Sequence, residues 1–64
     1  MNNVSAKEIL NLIKKSSYIL TDEELNNLEL IENLLNEGAD LETSESFKLE
    51  SLFEKIKKGG YLKT

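Results

Sequence analysis

The side chains with chemical potential in this sequence are serines and carboxylates. Six Ser residues are spread along the chain, and 12 Asp and Glu residues outnumber eight Lys residues. A nucleophilic Ser needs a neighbouring base, and the chain contains no His. Paired carboxylates do acid–base work only where a dry pocket raises the pKa of one of them. We expect short helices to leave little room for such a pocket, so we predict no catalytic residue and no enzyme.

Metal and cofactor sites lack their usual ligands. With no Cys and no His, the chain cannot build a structural zinc site. The segment that starts at Asp40 carries oxygen ligands at alternate positions, as a calcium-binding EF-hand loop does. Glu45 and Ser51, however, occupy the positions where that loop needs Gly and Glu. Since no glycine-rich phosphate loop is present either, we expect no metal and no cofactor.

Direct binding to nucleic acid is also not expected. The formal net charge is −4, and the chain contains no Arg for bidentate phosphate or base contacts. A turn with Gly38 joins two predicted helices, but it is longer than the turn of a helix-turn-helix motif. The recognition helix would begin at Glu45 and offer the phosphates a carboxylate and one lysine, Lys48.

Two capping boxes begin the predicted helices. Ser5 and Glu8 have the spacing at which a hydroxyl and a carboxylate satisfy each other's free amides, and Thr21 and Glu24 repeat it. Apolar residues recur at helical spacing behind both boxes. Gly38 follows the second stretch, where a residue of left-handed conformation ends a helix. The first two predicted helices cover residues 5–16 and 22–37.

A third helix is predicted over residues 44–58. Thr43 or Ser44 is its expected N-cap, and Gly59 marks its end. Short connections make successive helices antiparallel neighbours, and no stretch alternates as a strand would. The fold class is therefore all-α, a small three-helix bundle with short loops, forming a single helical domain over residues 1–64.

Two segments share one pattern. Residues 13–19 and 56–62 each contain a basic helix end, two small residues, a Tyr and an aliphatic residue. We interpret both as helix ends that carry an apolar clip, because a solenoid needs about three repeats to bury a continuous core.

The composition also predicts a location. The longest apolar run, Tyr18–Leu20, is far too short to cross a membrane. The polar start, Met1–Val4, lacks the basic and apolar regions of a signal peptide. A chain without Cys suits a reducing compartment, so we expect a cytoplasmic protein.

Charge is segregated along the chain. Residues 21–46 carry nine carboxylates and no Lys, whereas both flanking segments are net basic. At 100° per residue, Asp22, Glu29 and Glu32 share one arc of the second helix, away from its apolar stripe. One interpretation is a solvated face balanced by lysines on the neighbouring helices. The other is a recognition surface for a basic protein, since a surface of one sign steers association with opposite charge.

Apolar residues exceed what a small core can hold. Leu12, Leu30 and Phe47 lie off the centre of their helical stripes, and Tyr18 and Tyr61 lie outside the helices. Aromatic residues are effective interface anchors. The predicted partner-binding residues are Tyr18, Phe47, Tyr61, Glu29 and Glu32.

These observations predict a non-enzymatic protein–protein interaction module. Its size and its frequent Lys, Asn and Ile suggest a small regulator or inhibitor from a phage or another mobile element. A second hypothesis is a structural or assembly subunit that self-associates through its helices, for example as a homodimer. A third is an acidic mimic of nucleic acid that blocks a nucleic-acid-binding protein.

Overall fold

The computed structural model describes residues 3–62 and contains three helices. They are α1 (Asn3–Lys15), α2 (Asp22–Asn36) and α3 (Thr43–Lys58). No strand occurs within the described residues, and the predicted small three-helix bundle is confirmed. Both ends of the predicted 1–64 domain, and the first two residues of the polar start, lie outside the described residues.

Each helix contributes three buried apolar side chains at helical spacing, and the nine together form the core. They are Ala6, Leu10 and Ile13 of α1, Leu28, Ile31 and Leu35 of α2, and Leu49, Leu52 and Ile56 of α3. α1 packs more extensively on each of the other two helices than α2 and α3 pack on each other. The α2–α3 side of the bundle is therefore its most open side.

The predicted start of α2 is confirmed, and its last helical residue is Asn36, one residue before the predicted end. The Thr21 amide donates to the Glu24 carboxylate at 2.9 Å, and the Glu24 amide donates to the Thr21 hydroxyl at 3.2 Å. At the other end Gly38 has a φ of 79°, which only glycine adopts without strain. The Ala39 amide then donates to the Leu34 carbonyl at 3.0 Å, as in a Schellman motif. The loops on both sides of α2 are thereby fixed.

The predicted caps of the other two helices are wrong. α1 begins two residues before the predicted cap, so Ser5 lies in the first turn of the helix. α3 is capped by Glu42 rather than by Thr43 or Ser44. A capping box needs Glu or Gln three residues after the cap, and a start at Glu42 alone meets that need. The Glu42 amide accordingly donates to the Glu45 carboxylate at 2.8 Å.

Candidate functional site

An apolar groove of about 280 Å³ runs between α2 and α3. Leu28 and Ile31 form its floor on the α2 side, and Leu49 and Leu52 form it on the α3 side. All four residues belong to the core, so the groove lies at the edge of the core, where the two helices separate. The surface of this groove is predominantly apolar.

Phe47 stands at the rim of this groove with 68% of its surface exposed. It precedes the buried Leu49 by two residues, and two residues of helix rotate a side chain by about 200°. Phe47 consequently points away from the core although it lies in the first turns of an amphipathic helix. Burying a side chain of this size stabilises a complex by about 1.5–3 kcal/mol, which makes the present exposure costly.

The charged residues that line the groove divide by helix. The α2 wall carries Glu24, and the α3 wall carries Lys48 and Lys55. The Lys55 ammonium lies 3.5 Å from the Glu24 carboxylate and 5.4 Å from the centre of the Tyr18 ring. The Tyr18 hydroxyl donates to the same carboxylate at 3.0 Å. One end of the groove is therefore closed by a network of three polar side chains.

This network changes the acidity of two of its members. Burial of the Glu24 carboxyl by itself would raise its pKa. The hydrogen bonds from the Thr21 amide and from the Tyr18 and Thr21 hydroxyls, with the charge of Lys55, outweigh burial and lower the pKa of Glu24 below 4.5. The Tyr18 hydroxyl and the Glu24 carboxylate in turn raise the pKa of Lys55. Both groups are held in their charged forms.

Tyr18 and Tyr61, both predicted to bind a partner, pack on each other instead of standing free. Their ring centroids are 5.3 Å apart, with the planes 69° apart. The Ser17 amide donates to the Tyr61 carbonyl at 3.1 Å and joins the segment that follows α3 to the α1–α2 loop. Tyr18 is half-buried, whereas 42% of Tyr61 is exposed. The apolar residues that follow the two helix ends thus contact each other, and they join segments 13–19 and 56–62.

Glu29 and Glu32, the predicted acidic contact residues, lie on the α1 side of α2. They flank a separate depression of about 250 Å³ that Leu25 also lines. Glu32 forms a salt bridge with Lys14 of α1, so a lysine on a neighbouring helix balances part of this face. The structure therefore places Phe47 and the two glutamates on different sides of the molecule.

Lys48 and Lys55 were not among the predicted contact residues, yet both line the groove between α2 and α3. In the sequence, Lys55 belongs to an ordinary basic helix end, and Lys48 suggested only a phosphate contact, so neither lysine indicated a groove.

Within residues 3–62, no group of three or more His, Cys, Asp or Glu side chains is arranged to hold a metal ion. None of the helices in the described part of the chain is long and apolar enough to cross a membrane. The arrangement that stands out is an apolar groove with an exposed aromatic residue and a charged rim.

No protein-family model matches this chain, and no curated protein or solved structure is significantly similar to it. A three-helix bundle serves many unrelated functions, so function has to be argued from the surface itself.

Proposed function

We propose that this protein is a non-enzymatic protein-binding module whose contact surface is the α2–α3 face. We define that face as the groove between α2 and α3 together with Phe47 at its rim. The observation that carries the proposal is the 68% exposure of Phe47 at the rim of a groove with an apolar floor. Aromatic side chains beside desolvated pockets dominate the binding energy of protein interfaces.

The surroundings of Phe47 support a binding role over a packing role. The other Phe of the chain, Phe53, packs against the core, and the two tyrosines pack on each other. A partner side chain could enter the groove while Phe47 enters the partner. The Lys48 and Lys55 rim would then orient the complex, because rim charges set specificity and association rate more than affinity.

A domain without catalytic residues acts by covering a site on its partner or by joining two partners. Small regulators and inhibitors act in this way. We propose that role here, in the cytoplasm, and we favour a phage or mobile-element source because of the residue bias. The composition without Cys and with abundant Lys, Asn and Ile supports both statements.

The acidic side of α2 supports a second candidate function. Glu29 and Glu32 flank a depression beside Leu25, which is 45% exposed. An apolar contact surrounded by carboxylates suits a basic partner. That partner could be a nucleic-acid-binding protein, which this chain would block by imitating the charges of nucleic acid. The salt bridge between Lys14 and Glu32 already balances one of these charges, so we rank this candidate second.

The test is affinity purification from the cells that express the protein, with quantitative mass spectrometry. We expect Phe47→Ala to reduce recovery of the specific partner about tenfold, which is the loss of a typical anchor residue. Leu12→Ala is the matched control, because Leu12 is also an exposed helical residue but lies on α1. Equal recovery by wild type and Phe47→Ala would overturn the proposal, provided that circular dichroism shows both proteins folded.

A further inference from the structure

We infer that residues 59–62 act as a strap that positions the charged end of the groove between α2 and α3. The strap acts through Tyr18, which contacts both Tyr61 of the strap and the Glu24–Lys55 pair at the groove. Tyr61 is then a positioning residue, which affects the groove without lining it. This inference rests on the proposed function, because it explains how the proposed contact surface keeps its shape.

The end of α3 fixes the direction of the strap. The Tyr61 amide donates to the Ile56 carbonyl at 3.1 Å. The Gly60 amide donates to the Lys57 carbonyl at the same distance, and together the two bonds form a Schellman motif. Gly60 has the positive φ, 76°, that this motif requires. The motif turns the chain back at the end of the helix and brings Tyr61 to the α1–α2 loop.

The Tyr61 ring lies directly against Gly59. A Cβ atom at position 59 would come within 2.5 and 2.7 Å of two carbon atoms of that ring, which is closer than such atoms approach each other. Gly59 has an ordinary φ of −76°, so its backbone does not require glycine. The missing side chain at position 59 therefore leaves the space that the Tyr61 ring occupies.

The strap docks on the α1–α2 loop through contacts of two kinds. The Tyr61 carbonyl accepts hydrogen bonds from the Ser17 amide at 3.1 Å and from the Ser17 hydroxyl at 3.3 Å. The Tyr61 ring meets the Tyr18 ring edge to face, with centroids 5.3 Å apart. Leu62 follows and packs against the core. The strap thus holds both the backbone of the loop and its aromatic side chain.

Tyr18 connects the strap to the groove. Its hydroxyl donates to the Glu24 carboxylate at 3.0 Å, and the Lys55 ammonium lies 5.4 Å from the centre of its ring. Glu24 and Lys55 both line the groove, whereas neither tyrosine does. Because Tyr18 lies in a loop, no helix fixes its orientation, and the Tyr61 ring holds it against the charged pair.

The experiment compares Tyr61→Leu with Tyr61→Phe, which keeps the ring. Burial raises the pKa of the Glu24 carboxyl, but its hydrogen bonds, including the one from Tyr18, and the charge of Lys55 lower that pKa below 4.5 overall. Without the Tyr61 ring the Tyr18 hydrogen bond weakens, so the pKa of Glu24 should rise in Tyr61→Leu. Tyr61→Phe should titrate like wild type. NMR titration of the Glu24 side chain measures both variants.

Two further variants separate positioning from a general loss of stability. Gly38→Ala strains the opposite end of α2, so it should leave the titration of Glu24 unchanged. Gly59→Ala keeps Tyr61 but places a Cβ atom in the space of its ring, so it should raise the pKa of Glu24. Amide hydrogen exchange reports docking directly. The Ser17 amide should exchange about two- to tenfold faster in Tyr61→Leu, which is the range expected for loss of an aromatic pair.

The outcomes separate the inference from the proposed function. An unchanged titration of Glu24 in a folded Tyr61→Leu protein overturns the inference. An equal rise of its pKa in Gly38→Ala or in Tyr61→Phe also overturns it, because the cause is then lost stability or the lost hydroxyl. These measurements need no partner. If Tyr61→Leu changes the titration but Phe47→Ala leaves partner recovery unchanged, the strap is supported and the proposed function is overturned.

Discussion

The rings of Tyr18 and Tyr61 meet edge to face, with centroids 5.3 Å apart, and join the α1–α2 loop to the segment that follows α3. The Tyr18 hydroxyl adds a 3.0 Å hydrogen bond to Glu24 at the start of α2. The half-buried Tyr18 therefore contacts both Tyr61 and the N-terminal capping box of α2. This relationship assigns Tyr18 a structural role, so its loss should affect stability first.

The first prediction concerns the Tyr18 hydroxyl. Tyr18→Phe keeps the ring contact but leaves Glu24 without one donor, and it should lower the free energy of unfolding by about 1 kcal/mol. Tyr61→Phe is the matched control, because no hydrogen bond of the Tyr61 hydroxyl occurs within the described residues. Tyr61→Phe should change the free energy of unfolding by less than about 0.5 kcal/mol. Urea unfolding followed by circular dichroism measures both. Equal losses for the two variants would contradict this role of Tyr18.

A second prediction addresses the helix ends. Gly38 and Gly60 have φ values of 79° and 76°, and side chains rarely adopt this conformation. Replacing either glycine by Ala should lower the free energy of unfolding by about 1 kcal/mol. Gly38→Asn should cost less than Gly38→Ala, because Asn tolerates the left-handed region better. Thermal unfolding ranks the variants, and an Asn variant as unstable as the Ala variant would argue against a conformational cause.

The third prediction is a pH dependence. The pKa of Glu24 is lowered in the folded protein, so its ionised form contributes stability above the unfolded pKa near 4.5. That contribution should disappear as the pH falls through the lower, folded pKa. Glu24→Gln should therefore be less stable than wild type at neutral pH, and the difference should shrink on acidification. Urea unfolding at a series of pH values tests this, and a constant difference would contradict it.

A fourth prediction distinguishes the two candidate surfaces. If the acidic side of α2 binds a basic partner, replacing both Glu29 and Glu32 by Gln should slow association, and the wild-type affinity should fall as salt rises. The pair Glu8→Gln and Glu37→Gln is the charge-matched control, because both residues are exposed and line neither candidate surface. Binding kinetics at two salt concentrations measure both effects. If Phe47 is the anchor, affinity should instead depend little on salt, and the Glu29 and Glu32 variant should bind like the control.

Local signals in the sequence account for most of the fold. All nine core residues lie at the helical spacing of the apolar stripes, and Phe47 lies off the centre of its stripe, as its exposure shows. Caps were less predictable. Glu42 was overlooked because hydroxyl residues are the preferred N-caps, and here the position of Glu45 decides where α3 begins.

The site was less predictable than the fold, because it depends on contacts between distant residues. Lys55 and Glu24 are 31 positions apart, and only the packing of α3 beside α2 brings them together. The groove itself exists because those two helices pack on α1 more than on each other, which depends on side-chain packing and not on periodicity. Tyr18 and Tyr61 looked exposed in sequence since each lies in a loop, and no local rule pairs two loops.

The measurement that tests the central claim most directly is photo-crosslinking in cells from position 47. Phe47 is replaced by the photoreactive aromatic residue benzoylphenylalanine, and a second protein carries the same residue at Leu12 on α1 as the control. We predict that light produces a discrete covalent adduct from position 47 and none of comparable yield from position 12. An adduct with another protein identifies a foreign partner, and an adduct between two copies identifies a homodimer. Folded proteins that give no adduct from position 47, or equal adducts from both positions, would contradict the claim that Phe47 anchors a protein interface.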